Sequence, residues 1–242
     1  MAHSDPPPAS PTSHFTEPTT SYWQELEPAE RASAAPPWQY GVPAQLPDSR
    51  VLMLPIRRLA SSADEAVASL LVNQASMQVV AELGAFLAER IRPFEPEVIV
   101  GLPTLGLSLA PIVAQRLGLQ RYVPLGYSRK FWYDEALSAD VSSITSPSRG
   151  HKRVYVDPHQ LPLLRGGRRV VVVDDAVSSG TTLQATWDLL ESLGCDIRAC
   201  GVVMKQGDRW EALLGPDRVD RLVYVLESPL LRAVQGGWDV RS

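Results

Sequence analysis

Two adjacent carboxylates, Asp174 and Asp175, stand between four valines, Val170 to Val173, and a run of small residues, Ala176 to Thr182. That run comprises Ala176, Val177, Ser178, Ser179, Gly180, Thr181 and Thr182, with four hydroxyls and one glycine. Where such a loop turns into a helix, its backbone N–H groups close readily around an anion. The helix N-terminus adds about half a positive charge. The hydroxyls can donate further hydrogen bonds, so the loop suits a phosphate. The carboxylates do not bind phosphate. They accept hydrogen bonds from sugar hydroxyls or ligate a hard cation such as Mg2+. A lone acid before a helix reads as an N-cap. An apolar run feeding two acids and then a hydroxyl-rich turn reads instead as a phosphate cradle beside a ribose or metal clamp. No GK[ST] triplet and no GxGxxG turn occurs, which excludes a Walker loop and a Rossmann dinucleotide turn.

The elements that position these residues alternate between the two periods. Val51 to Leu54 predicts a short strand, and Val80, Leu83, Leu87 and Ile91 mark one face of a helix that ends at Pro93 and Pro96. Val98 to Val100 is a continuous apolar run, as in a strand covered on both faces. The turn Gly101 to Gly106 leads into a helix through Ala110 and Val113 that closes at Gly118, and a strand begins at Tyr122 and Val123. Residues 127–165 show no long element beyond a hairpin around Val154 to Val156. The valine run, a helix carrying Leu183, Trp187 and Leu190, and strands at Ile197 to Met204 and Arg221 to Leu226 complete the pattern. Strands alternating with helices imply right-handed crossovers, a parallel sheet and an α/β fold.

The string VVVVDDAVSSGTT, Val170 to Thr182, resembles the 5-phosphoribosyl-1-pyrophosphate (PRPP) motif of type I phosphoribosyltransferases. The resemblance spans roughly residues 70–205. It implies that Asp174 and Asp175 bind the ribose hydroxyls, partly through the water of a bound Mg2+, and that Ala176 to Thr182 hold the 5-phosphate. GLPTLG, Gly101 to Gly106, resembles the pyrophosphate loop of that family, so Pro103, Thr104, Leu105 and Gly106 would line the diphosphate. Ser128-Arg129-Lys130 resembles the start of the mobile loop that covers the substrate, with Arg129 and Lys130 as catalytic cations; a structureless segment of this length is usually functional. Lys205 is similar to the lysine that 6-oxopurine enzymes set against the exocyclic oxygen, whereas Ser178 stands where those enzymes carry an aspartate near N7. Trp210 or Trp238 offers a ring that could stack on a base or simply pack. The implied fold is the parallel-sheet type I phosphoribosyltransferase fold with a hood and a flexible loop. The implied activity is transfer of ribose 5-phosphate from Mg-PRPP to a base, a purine first, with release of pyrophosphate. The competing reading is a PRPP-binding regulator of the same fold without turnover. A homodimer is compatible with either.

Composition bounds the rest. The chain has 242 residues, 45% of them hydrophobic, enough for one sizeable core. Its formal net charge of -4 provides no broad basic field, so no nucleic-acid partner is expected and any anion site must be local. There is no apolar run of transmembrane length and no signal pattern at the start, which points to a cytoplasmic protein without a membrane partner. Cys195 and Cys200, five residues apart on one strand, would face opposite ways and form no disulfide. Ten of the 21 prolines precede residue 48, so residues 1–48 read as a proline-rich segment, disordered to about residue 20 and draped over the domain thereafter by Trp23, Trp38 and Tyr40. Residues 49–242 read as the phosphoribosyltransferase-like domain.

Overall fold

The computed structural model describes residues 19–141 and 152–241. In chain order the elements are β1 (Gly41–Gln45), β2 (Val51–Arg58), β3 (Glu65–Ala68), α1 (Met77–Ile91), β4 (Val98–Gly101), α2 (Gly106–Arg116), β5 (Val123–Pro124), β6 (Ser138–Val141) and β7 (Lys152–Tyr155). They continue with α3 (Leu161–Leu164), β8 (Arg169–Val177), α4 (Thr181–Ser192), β9 (Asp196–Gln206), α5 (Arg209–Leu214), α6 (Pro216–Val219), β10 (Leu222–Ser228), β11 (Leu230–Val234) and β12 (Gly237–Val240).

The valine-rich strands form a parallel sheet in the order β10-β9-β8-β4-β5. Its central strands are buried on both faces: every residue of β4, and Val170 to Val173 of β8, is shielded from solvent. Each face has its own apolar layer. On one side α1 contributes Leu83, Leu87 and Ile91, and α2 contributes Leu109 and Val113, against Val171, Val173 and Val203. On the other, Leu183, Trp187 and Leu190 of α4 meet Val170, Val172 and Cys200. Helix α1 begins where Ser76 caps it, its hydroxyl accepting a bond from the Val79 N–H at 3.1 Å. Both cysteines are buried free thiols.

A second, antiparallel sheet, β1-β2-β3-β11-β12, joins segments from both ends of the described chain. Its inner residues Leu52, Leu54 and Leu231 share the α1-side core. Of the proline-rich segment, Gly41–Gln45 supplies the edge strand of this sheet, Trp23 is buried with its indole N–H donating to the Ser69 carbonyl, and Trp38 exchanges two backbone bonds with Trp238. Residues 1–18, most of the stretch read as disordered, lie outside the described residues.

Two expectations need correction. The segment 127–165 is not without structure. β6 and β7 pair as an antiparallel ribbon, Ser138↔Tyr155 to Val141↔Lys152, and α3 follows. Val141, Val154 and Val156 are buried with Leu161 and Leu164 under the α4-side layer. Only the arm at Ser138 to Val141 escaped the reading, because four residues are too short to carry a period. The hairpin around Val154 is present. The second correction concerns the loop expected over Ala176 to Thr182: the strand does not end at the acidic pair before it. β8 continues through Ala176 and Val177, because β9 is long enough to pair with them at Met204 and Lys205. The loop proper is confined to Ser178–Gly180.

Candidate active site

Strand lengths create the site. β4 stops at Gly101, opposite Val173, and the Leu102 N–H makes a final bond to the Val173 carbonyl at 2.9 Å. Beyond that point β8 is paired only with β9. Asp174 and Asp175 therefore lie where the sheet loses a strand. From β4 the chain crosses to β5 on one side, and from β8 it crosses to β9 on the other. A crevice at the carboxyl ends of two strands that diverge in this way is the usual ligand position of an open parallel sheet.

The carboxylates are recessed there. Asp174 Oδ1 accepts the Asp175 N–H at 2.9 Å, and its carboxyl also accepts the Gly106 N–H. Gly106 opens α2 against β8 so closely that a Cβ would lie 2.6 Å from the Val173 carbonyl oxygen and 3.0 Å from Asp174 Oδ1. Burial, then the charge of Asp175, pushes the Asp174 carboxyl well up from its ordinary range. Burial pushes Asp175 up to about 6, opposed by hydrogen bonds from Asp174 and from backbone N–H groups. Two adjacent recessed acids are costly unless a cation or hydroxyl donors reach them, as expected of a binding site and not of a structural ion pair. The pair offers only oxygen donors, and among the described residues no cluster of three or more His, Cys, Asp or Glu side chains could hold a metal. Such a set suits a hard cation whose remaining ligands come from the bound molecule and from water.

Two turns flank the pair. On one side Leu102 to Leu105 lead into α2; Pro103 is buried, Thr104 is exposed, and the Pro103–Thr104 peptide is cis. On the other, Ser178–Gly180 lead into α4. Gly180, which precedes α4, brings no capping side chain; the Thr181 N–H donates to the Ser179 hydroxyl at 3.4 Å, and the next N–H groups of the first turn are left to the loop. The Ser179 and Thr181 hydroxyls bond each other at 2.7 Å. Gly180 is required twice over: its φ is 81°, and a Cβ would sit 3.0 Å from the Cβ of Trp210. Trp210 is thus packing beneath the loop, with its indole N–H donating to the Gly207 carbonyl. Trp238 is also buried, in the antiparallel sheet.

Of the other candidate cations, Arg129 and Lys205 are engaged elsewhere. Arg129 pairs with Glu135 at 3.0 Å, and Arg129 and Lys130 are exposed beside Phe131 and Trp132. Lys205 pairs with Glu227 at 3.2 Å and lies 4.5 Å from the Tyr224 ring centroid. With Glu227, Gly207, Ser228 and Leu230 it lines a cleft of about 610 Å3 between the ends of β9 and β10 and the antiparallel sheet.

Three residues near the site had no signal in the sequence. Tyr127 is half-buried, and its hydroxyl is pushed up to about 12 by burial and then by the charges of Asp174 and Asp175. Lys152 stands over the Tyr127 ring, its ammonium 3.7 Å from the centroid. Gln206 is buried; its amide N–H donates to the Ala68 carbonyl at 2.9 Å and its Oε1 accepts the Ser178 hydroxyl at 3.0 Å. That carbonyl fixes which end of the amide is nitrogen, so the Ser178 proton is committed to Gln206. The Gln206 bond to β3 thus joins the candidate phosphate loop to the antiparallel sheet.

Residues 66–223 match the phosphoribosyl transferase domain family. A hypoxanthine/guanine phosphoribosyltransferase of Methanothrix soehngenii is 30% identical over 148 residues, which are 61% of this chain and 69% of that protein. An adenine phosphoribosyltransferase of Synechococcus sp. is 34% identical over 140 residues, 57% of this chain and 74% of that protein. In three dimensions the APRTase of Giardia lamblia superimposes with a TM-score of 0.57 at 18% identity, covering 72% of this chain and 93% of that one.

Proposed function

Since this chain belongs to the phosphoribosyl transferase domain family, we propose that it transfers ribose 5-phosphate from Mg-PRPP to a ring nitrogen of a purine-type base and releases pyrophosphate. The observation that carries this reading is the recessed carboxylate pair at the point where β4 ends, with a glycine-containing turn on each side. In this reading Asp174 and Asp175 accept the ribose 2- and 3-hydroxyls and the water of a magnesium ion. Ser178–Thr182 and the start of α4 hold the 5-phosphate. The backbone from Pro103 to Gly106 lines the diphosphate. The bound magnesium ion supplies neutralisation of the leaving diphosphate.

This chain's own contribution is position and exclusion. The transition state builds positive charge at the anomeric carbon and negative charge on the diphosphate. Fixed N–H donors aimed at the phosphates need no reorganisation as that charge develops. Holding donor and base together removes the entropic cost of their encounter. Arg129 and Lys130 head the segment that would close over the donor and keep out water that would otherwise hydrolyse it.

The purine assignment is supported by the adenine and hypoxanthine/guanine enzymes among the relatives. The base would occupy the cleft beside Lys205. Ser178 has no carboxylate to exchange a proton with a ring nitrogen, and its hydroxyl is a poor acid at neutral pH. We therefore place adenine ahead of the 6-oxopurines. Titration calorimetry of PRPP with Mg2+ tests the donor site. Wild type should bind, and a folded double variant Asp174→Asn with Asp175→Asn should not. Equal affinity in the two would remove the ribose assignment.

A further inference from the structure

Resting on the donor reading above, we propose that Lys152, carried by the ribbon and steadied on the Tyr127 ring, is a binding residue for the diphosphate of the donor. The ribbon is fixed at the mouth of the crevice by backbone bonds. Gly126 and Tyr155 exchange two of them, at 2.8 and 3.2 Å, and the preceding Leu125 N–H donates to the Gly101 carbonyl at 3.0 Å. Gly101 is the last residue of β4, so Tyr127 and the ribbon stand directly beside the turn proposed for the diphosphate.

Alternation along β7 sorts its two cations. Arg153 faces outward, with its guanidinium on Asp140 at 2.9 Å and near Glu135. Lys152 shares its face with Val154, which is buried with Val172 and Val177 of β8. Its ammonium stands over the Tyr127 ring, and among the described residues no carboxylate pairs with it. Arg129, which headed the expected lid, is by contrast already paired with Glu135. An aromatic face holds a cation loosely and leaves its N–H donors free. A partly buried lysine whose ammonium has three donors, no counter-ion among the described residues and a ring to orient it is suited to an incoming polyanion.

The test is calorimetric titration of three probes, each with Mg2+: PRPP, inorganic pyrophosphate and ribose 5-phosphate. The proteins are wild type, Lys152→Met and Lys152→Arg. Loss of one charge-assisted contact predicts that Lys152→Met binds PRPP and pyrophosphate roughly tenfold to a hundredfold more weakly. Ribose 5-phosphate should bind as before. Arginine keeps the charge and stacks on tyrosine, so Lys152→Arg should recover affinity to within about threefold. If Lys152→Met does not fold, Tyr127→Leu, which removes the platform, must show the same probe selectivity, and Tyr127→Phe must not. Unchanged pyrophosphate affinity in a folded Lys152→Met overturns the proposal, as does equal weakening of all three probes. Failure of wild type to bind PRPP would overturn the donor reading itself.

Discussion

Asp175 carries a stability consequence that can be separated from its role in binding. Its carboxyl titrates near 6 in the folded protein, against an ordinary 3.8, because burial disfavours the charged form. A carboxyl raised on folding stabilises the native state below its unfolded value. That contribution is lost as pH climbs from about 4 through about 6. Asp175→Asn should therefore stabilise the free protein at pH 7.5 by on the order of 1–2 kcal/mol, with little effect at pH 4, while abolishing donor binding. Urea denaturation at the two pH values checks this; a variant less stable at pH 7.5 would contradict it. Gly180 gives the opposite case. Its φ of 81° is one an L side chain rarely adopts, and a methyl group would press on Trp210 at 3.0 Å, so Gly180→Ala should cost about 1–3 kcal/mol and displace the phosphate loop. An alanine variant as stable as wild type would mean that the loop is less constrained than described. Lys205 bears on the base. Glu227 already holds it, so for adenine, which has no exocyclic oxygen, Lys205→Ala should change kcat/KM little. With hypoxanthine or guanine it should cost about 1–3 kcal/mol, roughly tenfold to a hundredfold. Of the candidate site, the acidic pair, the hydroxyl loop and GLPTLG were legible because each is contiguous in the chain. Tyr127, Lys152 and Gln206 were not, since each acquires its place through a partner at least 25 residues away.

At the scale of elements, the continuous apolar runs were read well. Val98 to Val100 and Val170 to Val173 form strands, and the helix periods at 80–91 and 183–190 fall within α1 and α4. Periodicity fails for short elements that take their stability from distant partners. β3 pairs with β11 at Val67↔Leu230, and neither arm has more than five residues. The ribbon is a similar case, and it changes what closure over the site requires. Its inner residues are buried and its strands are bonded to each other and to Gly126. The amides of Val154 and Tyr155 should thus exchange slowly even without ligand. Residues 128–134, which carry the exposed Phe131 and Trp132, should exchange quickly in the free protein and slow when PRPP and a base analogue are bound. Hydrogen-exchange mass spectrometry separates the two segments. Fast exchange throughout 127–165 would restore the picture of one long mobile loop, and no change in 128–134 on binding would remove its role as a cover.

For the molecule as a whole, the antiparallel sheet is the part that the sequence concealed. It is assembled from Gly41–Gln45, Val51–Arg58 and Glu65–Ala68 at one end of the described chain and from Leu230–Val234 and Gly237–Val240 at the other. No local pattern announces a pairing across that separation. Gln206 and Ser228 both reach the Ala68 carbonyl, so this sheet is tied to the carboxyl ends of β9 and β10 beside the site. Among the described residues no helix is long and apolar enough to cross a membrane. In the proposed function the crevice between β4 and β8 performs transfer as well as binding. This is tested most directly by mixing the protein with PRPP, Mg2+ and, separately, adenine, hypoxanthine, guanine and xanthine, and measuring pyrophosphate and nucleoside monophosphate together. Transfer should give equal amounts of both products with at least one purine, fastest with adenine, none after EDTA, and recovery on restoring Mg2+. PRPP binding without pyrophosphate release for any base would contradict it and identify a binding protein instead.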